Sequence, residues 1–295
     1  MSRVEAPPLV RRGLEVGLVG VALVWGFTFI TVKKALEQVP VFEFLSLRFW
    51  LAAVVLWLVF RRQVAGLGRA GWVAGSLIGL AVFLGYVFQS VGLQYTRASN
   101  AGFVTGLFVV IAPLLSTVFL RRRPSAGVAT GIVLATVGLA LLSFTDAGGF
   151  RRGDLIVLGA AFSFAVHIVL LGRFAPEHSP AALAVVQLLV AAALSSVVTL
   201  VVEDPVAPTH GDVVSGVLIT GLLASAAAFL IQSVAQRYVS PSRTAVILVT
   251  EPAFAGLFGV VVLGEALTFR GWVGAGLILA GMLVAELTPH RGREG

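Results

Sequence analysis

The sequence predicts an all-α membrane protein: ten transmembrane helices arranged as two inverted five-helix repeats. Three observations predict it. Apolar runs of eighteen residues or more recur along the whole 295-residue chain, each of the length a bilayer demands. Charged residues make up 12% of the chain and hydrophobic ones 58%, whereas a soluble domain carries about 25% charge. The octapeptide Phe88-Gln-Ser-Val-Gly-Leu-Gln-Tyr95 returns 143 residues later as Ile231-Gln-Ser-Val-Ala-Gln-Arg-Tyr238, with Gln89, Ser90, Val91 and Tyr95 reappearing as Gln232, Ser233, Val234 and Tyr238. An echo at nearly half the chain length marks two copies of one unit.

Residues 1–12 read as a basic tail holding Arg3, Arg11 and Arg12. Helix 1 spans about residues 13–32 and ends at Lys33-Lys34. Its apolar run is of full spanning length with no small-x-small cleavage site, so it reads as a retained helix and not a removed signal peptide. Pro40 opens helix 2, about 41–60, and Arg61, Arg62 and Arg69 form the next basic loop. Helix 3 covers about 71–93 and helix 4 about 99–120, the latter stopped by Arg121-Arg122-Arg123-Pro124. Helix 5 covers about 126–144. A glycine-bearing linker, 146–154, leads to helix 6 at about 155–174. Pro176 and Pro180 bracket the turn into helix 7, about 180–202, and an acidic loop runs from Glu203 to His210. Helices 8, 9 and 10 follow at about 212–236, 242–263 and 271–287, before a tail with Arg291 and Arg293. The domains are thus a tail (1–12), a first repeat (13–145), a linker (146–154), a second repeat (155–288) and a second tail (289–295).

Loop charge sets the expected orientation. With the N-terminus cytoplasmic, inside segments hold Arg3, Arg11, Arg12, Arg61, Arg62, Arg69, Arg121, Arg122, Arg123, Arg173, Arg237, Arg243, Arg291 and Arg293. Outside segments hold Lys33, Lys34, Arg97, Arg151, Arg152 and Arg270. Short loops obey the positive-inside bias, so both termini are expected in the cytoplasm. Five helices is an odd number, so the second copy enters the membrane upside down, the plan of many carriers with a substrate site at the midplane.

Four features resemble the EamA-type transporters of the drug/metabolite transporter superfamily: Trp25-Gly26, the run from Gln94 to Ala101, Thr250-Glu251-Pro252 and Leu263-Gly264-Glu265. The likeness covers about residues 13–288. It implies ten helices, inverted repeats and export of small metabolites from the bacterial cytoplasmic membrane, with aromatic amino-acid exporters the branch most similar to this chain. One departure matters: Ala112-Pro113 and Arg122-Arg123 stand in the first repeat where the second has Glu251-Pro252 and Gly264-Glu265. A symmetric two-carboxylate mechanism is therefore not implied.

Ionisable residues deep in a membrane helix are costly and mark candidate sites. Glu251 falls about nine residues into helix 9, roughly 14 Å from its end; it reads as a substrate anchor or proton site, or as buried glue between helices. Pro252 beside it frees the carbonyl of Leu248 and suits a gate. Arg48, in helix 2, reads as an entrance group that attracts a carboxylate, or as a cation that snorkels outward or pairs with Glu43. Gln187 holds the matching slot of the second repeat without charge. His167 hydrogen-bonds either substrate or a neighbouring helix. Trp25 and Phe164 are repeat-related and near the midplane, suited to stacking on a solute or to filling an interface. Tyr86, Gln89 and Gln232 are polar groups that lipid cannot satisfy; Gln89 and Gln232 are expected near opposite membrane faces. The substrate-binding candidates are thus Trp25, Tyr86, Gln89, Phe164, His167, Gln187 and Glu251, with Arg48, Gln232 and Pro252 at a gate or entrance. Asn100 reads as a helix N-cap. Gly75, Gly79, Gly127, Gly131, Gly271, Gly274, Gly276 and Gly281 permit close helix contacts, and helices 5 and 10 read as staves remote from the pathway.

These features favour a carrier for a small neutral or zwitterionic metabolite, foremost amino acids. A proton-coupled exporter of other drugs or metabolites stays open. With no cysteine and no ATP-binding glycine-rich loop, neither a cofactor nor a metal is expected. The partners are the small-molecule substrate and the lipid bilayer, not nucleic acid, and the chain reads as a monomer with a dimer as the alternative. An intramembrane enzyme needs paired chemistry at one depth, and a channel needs a ring of like residues or a filter loop; neither pattern is present.

Overall fold

The computed structural model describes residues 7–119, 126–143, 151–207, 210–239, 244, 247–248 and 250–287. Among them no strand occurs, and ten helices follow in order. They are α1 (Pro8–Ala35), α2 (Val41–Ala65), α3 (Arg69–Leu93), α4 (Ala98–Gly106 and Phe108–Phe119), α5 (Ala126–Ser143), α6 (Arg152–Phe174), α7 (Pro180–Val202), α8 (Gly211–Tyr238), α9 (Thr250–Leu263) and α10 (Phe269–Leu287). The Arg121-Arg122-Arg123-Pro124 stop, residues 146–150 of the linker, Ser242, Arg243 and the basic residues Arg3, Arg291 and Arg293 lie outside the described residues. Six helices, α1, α2, α3, α6, α7 and α8, are long and apolar enough to cross a membrane, and shorter apolar stretches lie in α4, α5, α9 and α10.

Three helices depart from the simple reading. Helix α1 starts at Pro8, because a proline in the first turn needs no N–H partner and Arg11 pairs with Glu15 one turn on. Helix α4 breaks at Leu107, whose N–H turns back to Val104 O at 3.1 Å while its carbonyl accepts from both Val110 and Ile111, a local i→i+3 tightening. The break lies against α9, where a Cβ on Gly106 would overlap Pro252 Cγ. Helix α8 widens to π geometry over Ile219–Ala227, an arrangement that loosens the ladder and frees carbonyls for other donors.

The packing has an internal exchange symmetry. Helix α3 packs on α6 and α7, α1 on α8 and α9, α2 on α8, and α4 on α6. Exchanging each of the first five helices with the one five later turns α3–α6 into α8–α1, α3–α7 into α8–α2, and α1–α9 into α6–α4. The pairs α2–α7, α4–α9 and α5–α10, all observed, map onto themselves. The α5–α10 pair approaches closely through glycine: a Cβ on Gly138 would lie 2.6 Å from Gly274 O, and one on Gly281 would lie 2.7 Å from Gly131 O. The smooth face expected of helix 10 thus narrows to Gly274 and Gly281, since Gly276 meets nothing within 4 Å.

Candidate functional site

A cavity sits where α1, α3 and α4 of the first half face α6, α8 and α9 of the second. The other four helices contribute no lining residue among those described. Its volume, about 30 Å³ for the centre of a water-sized sphere, holds about two waters. Trp25, Tyr86, Gln89, Phe164, His167, Gln232 and Glu251 all line it, together with Thr28, Phe29, Thr105, Phe108, Ile168, Phe229 and Leu248.

The aromatic wall is doubled. The Trp25 and Phe229 ring centroids are 5.6 Å apart, and those of Phe164 and Tyr86 are 5.2 Å apart. Tyr86 and Phe229, 143 positions apart like Gln89 and Gln232, meet at 6.2 Å and join the two pairs. Trp25 Nε1–H donates to Ala224 O at 2.8 Å, a carbonyl inside the π stretch of α8. That bond anchors the indole and satisfies its donor, as a buried tryptophan requires.

Polar groups divide into satisfied and unsatisfied ones. Gln187 does not line the cavity; it stands behind His167, with its Oε1 2.9 Å from His167 Nε2 and its Nε2 directed at Ser233 Oγ. Gln89 donates to Thr105 Oγ1 at 3.3 Å. By contrast, Glu251 Oε2 and Gln232 Oε1 are buried without a hydrogen-bond partner among the described residues. Gln89 and Gln232, expected near opposite faces, border one hollow together with Thr105, the partner of Gln89.

Arg48 is not at a mouth. It is 1% exposed, lies 4.5 Å over the Tyr86 ring, and donates to Ser225 Oγ through Nε and Nη2. It neither snorkels nor pairs with Glu43, because α2 is sandwiched against α7 and α8 and Glu43 instead accepts from Val206 N–H. Pro252 is likewise no lining group: it fills the notch at Gly106.

Comparison with known proteins adds to this geometry. The model of the EamA-like transporter family matches residues 14–144 and again residues 151–286. The chain belongs to the EamA-like transporter family. It is therefore a multi-pass membrane transporter built from two five-helix repeats, and not an enzyme. An uncharacterized transporter of Archaeoglobus fulgidus is 36% identical over 275 residues, covering 92% of this chain and 85% of the relative. The threonine/homoserine exporter RhtA of Escherichia coli K12 is 31% identical over 187 residues, covering 61% of this chain and 60% of that protein. A protein of known crystal structure superposes with a TM-score of 0.70 at 22% identity, over 94% of this chain and 97% of the other, which shows the shared fold.

In this EamA chain two of the sequence motifs prove to be one device. Gly264 takes the left-handed conformation, φ 64°, which L side chains avoid. The turn it makes brings Glu265 to the start of α4. There the carboxylate accepts from the N–H of Ala98 at 2.8 Å, the N–H of Ser99 at 3.0 Å and Ser99 Oγ at 2.6 Å. These are first-turn donors that the helix itself cannot satisfy. The cap expected of Asn100 is thus supplied by Glu265, while Asn100 donates to the fully buried Asp154, which also accepts from Thr96. Glu203 treats α2 the same way through the N–H groups of Phe42 and Glu43. Replacing Glu265 by alanine is expected to cost about 1–2 kcal/mol of stability, measured as a lower unfolding midpoint of the purified protein in detergent.

Proposed function

We propose that this protein is a carrier that exports small zwitterionic or neutral metabolites, foremost amino acids including aromatic ones, by alternating access through the central cavity. One observation carries this reading: two acceptor oxygens without partners among the described residues, Glu251 Oε2 and Gln232 Oε1, border a cavity otherwise walled largely by aromatic and aliphatic side chains. Buried acceptors without donors are costly, and an ammonium group supplies three donors. A flat apolar side chain would stack on Trp25, Phe164 or Phe229. The Arg48 guanidinium, over the Tyr86 ring, sets a positive charge behind one wall of the site, suited to a carboxylate. The Escherichia coli relative named a threonine/homoserine exporter supports the substrate class.

The exchange symmetry of the packing supports inverted repeats over residues 13–145 and 155–288, and the loop charges support a cytoplasmic-membrane protein with both termini inside. The functional unit is a monomer. The unpartnered carboxyl also suits proton-coupled export of other metabolites, in which Glu251 holds a proton while the cavity is empty.

The test is counterflow in liposomes loaded with unlabelled amino acid. Saturable uptake of labelled aromatic amino acids, threonine or homoserine is expected, with no uptake of acidic ones. Silence across the neutral panel overturns the amino-acid reading. Faster efflux under an imposed pH gradient, abolished by a protonophore, selects the proton-coupled version. Because the chain has no cysteine, single cysteines placed near each end report topology directly. Labelling of the two ends from opposite faces overturns the inverted plan.

A further inference from the structure

Away from the central cavity, an open groove of about 530 Å³ lies between the end of α2 and the start of α3. It is lined by Trp57, Arg61, Arg62, Val64 and Ala65 of α2 and by Trp72 of α3. Both indoles are nearly half exposed, Trp57 at 43% and Trp72 at 42%. The guanidinium groups of Arg61 and Arg62 have no hydrogen-bond or ion-pair partner among the described residues. Arg11 and Arg173, by contrast, are each paired with a glutamate one turn along their own helix. No acidic residue occurs between Glu43 and Asp146, so nothing in this hairpin neutralises the pair.

We propose that this groove is a binding site for one anionic phospholipid, its phosphate held by Arg61 and Arg62 and an acyl chain lying between Trp57 and Trp72. The vertical order fits that occupant. Trp57 lies one helical turn before Arg61, on the same face of α2. The guanidinium therefore sits at headgroup level above an indole at the top of the hydrocarbon, the usual depths of these side chains. Leu58 and Val73, exposed beside the two tryptophans, continue the apolar track. A soluble anion would have no use for that track, and a zwitterionic lipid would leave the two cations uncompensated. This end of the molecule is the one the basic loops mark as cytoplasmic, where anionic lipid attracts exposed basic residues about fivefold for each one.

The experiment reconstitutes the full chain with brominated lipids and reads quenching of tryptophan fluorescence. Wild-type protein is expected to favour brominated phosphatidylglycerol over brominated phosphatidylcholine by about tenfold, and Arg61→Gln/Arg62→Gln to lose that preference. Two controls separate a site from bulk charge. Arg11→Gln/Arg12→Gln removes the same formal charge elsewhere and should keep the preference. Trp57→Phe/Trp72→Phe should lose most of the lipid-specific quenching while remaining monodisperse. Equal quenching of the wild type by the two lipids overturns the proposal, as does a preference that survives Arg61→Gln/Arg62→Gln. Reversal of the effect by millimolar inorganic phosphate alone would identify a simple anion site and overturn the lipid. Transport in the liposome assay is a separate readout, so failure here leaves the carrier reading standing.

Discussion

Replacing Glu251 by glutamine is expected to weaken amino-acid binding by about ten- to hundredfold, the value of one hydrogen bond to a charged group. Glu251 is 4% exposed; among the described residues its Oε2 lacks a donor and it is the only acidic residue lining the cavity. Glutamine keeps the volume and one acceptor but loses the charge that an ammonium group seeks. The loss should fall on affinity for zwitterions and spare amine-free analogues of the same shape, such as an aromatic carboxylate. Glu251→Asp should fall between. The measurement is concentration-dependent counterflow of wild type and variant in the same lipid. If the variant transports amino acids with unaltered half-saturation, Glu251 is a structural group and the ammonium contact is wrong. If it keeps counterflow but no longer responds to a pH gradient, the carboxyl serves as the proton site.

The second large effect concerns packing. Gly106→Val is expected to destabilise the protein by about 3 kcal/mol or more, at or beyond the upper end of ordinary overpacking. The added Cβ would overlap Pro252 Cγ and come within 2.8 Å of Met282 Cε. The methionine tip moves aside at little cost, whereas the proline ring is fixed to its own backbone. The clash therefore pushes α4 and α9 apart where α4 already breaks. Unfolding midpoints and retained counterflow are the readouts. Pro252→Ala removes the obstructing ring, so the double variant should recover a substantial part of the lost stability, a coupling typical of touching residues. A Gly106→Val protein as stable as wild type would contradict the α4–α9 contact.

Much of the framework was legible because membrane helices announce themselves by length and apolarity, and because the octapeptide echo fixes the two halves relative to one another. The same echo had more to give. Applying its 143-residue offset to Tyr86 points straight to Phe229, and applying it to Phe108 points to Glu251; all four line the cavity. Aligning Ala112-Pro113 with Glu251-Pro252 by residue type hid that relation, so the phenyl ring of Phe108 was missed as the first-half counterpart of the carboxyl. Thr105 and Ile168 carried no signal, since ordinary helix residues reveal their facing only in the packed structure.

The interfacial carboxylates were illegible for a different reason. Glu203, Glu265 and Asp154 act on backbone or side chains 54 to 167 positions away. Nothing local distinguishes a glutamate that closes another helix from one that faces water. Arg48 was expected at an entrance because a position in helix 2 does not say whether the neighbours enclose the side chain, as they do here. The π stretch of α8 likewise had no sequence mark. Its role became visible only with Trp25 bound to Ala224 O and Arg48 bound to Ser225.

The central hollow has room for about two waters, far less than any amino acid. Cargo cannot simply drop in: the rings of Trp25, Tyr86, Phe164 and Phe229 must first be levered apart, and the two aromatic pairs must break company. Occupancy should therefore cost more for bulkier cargo, and it should make the bundle swell instead of tightening round its guest.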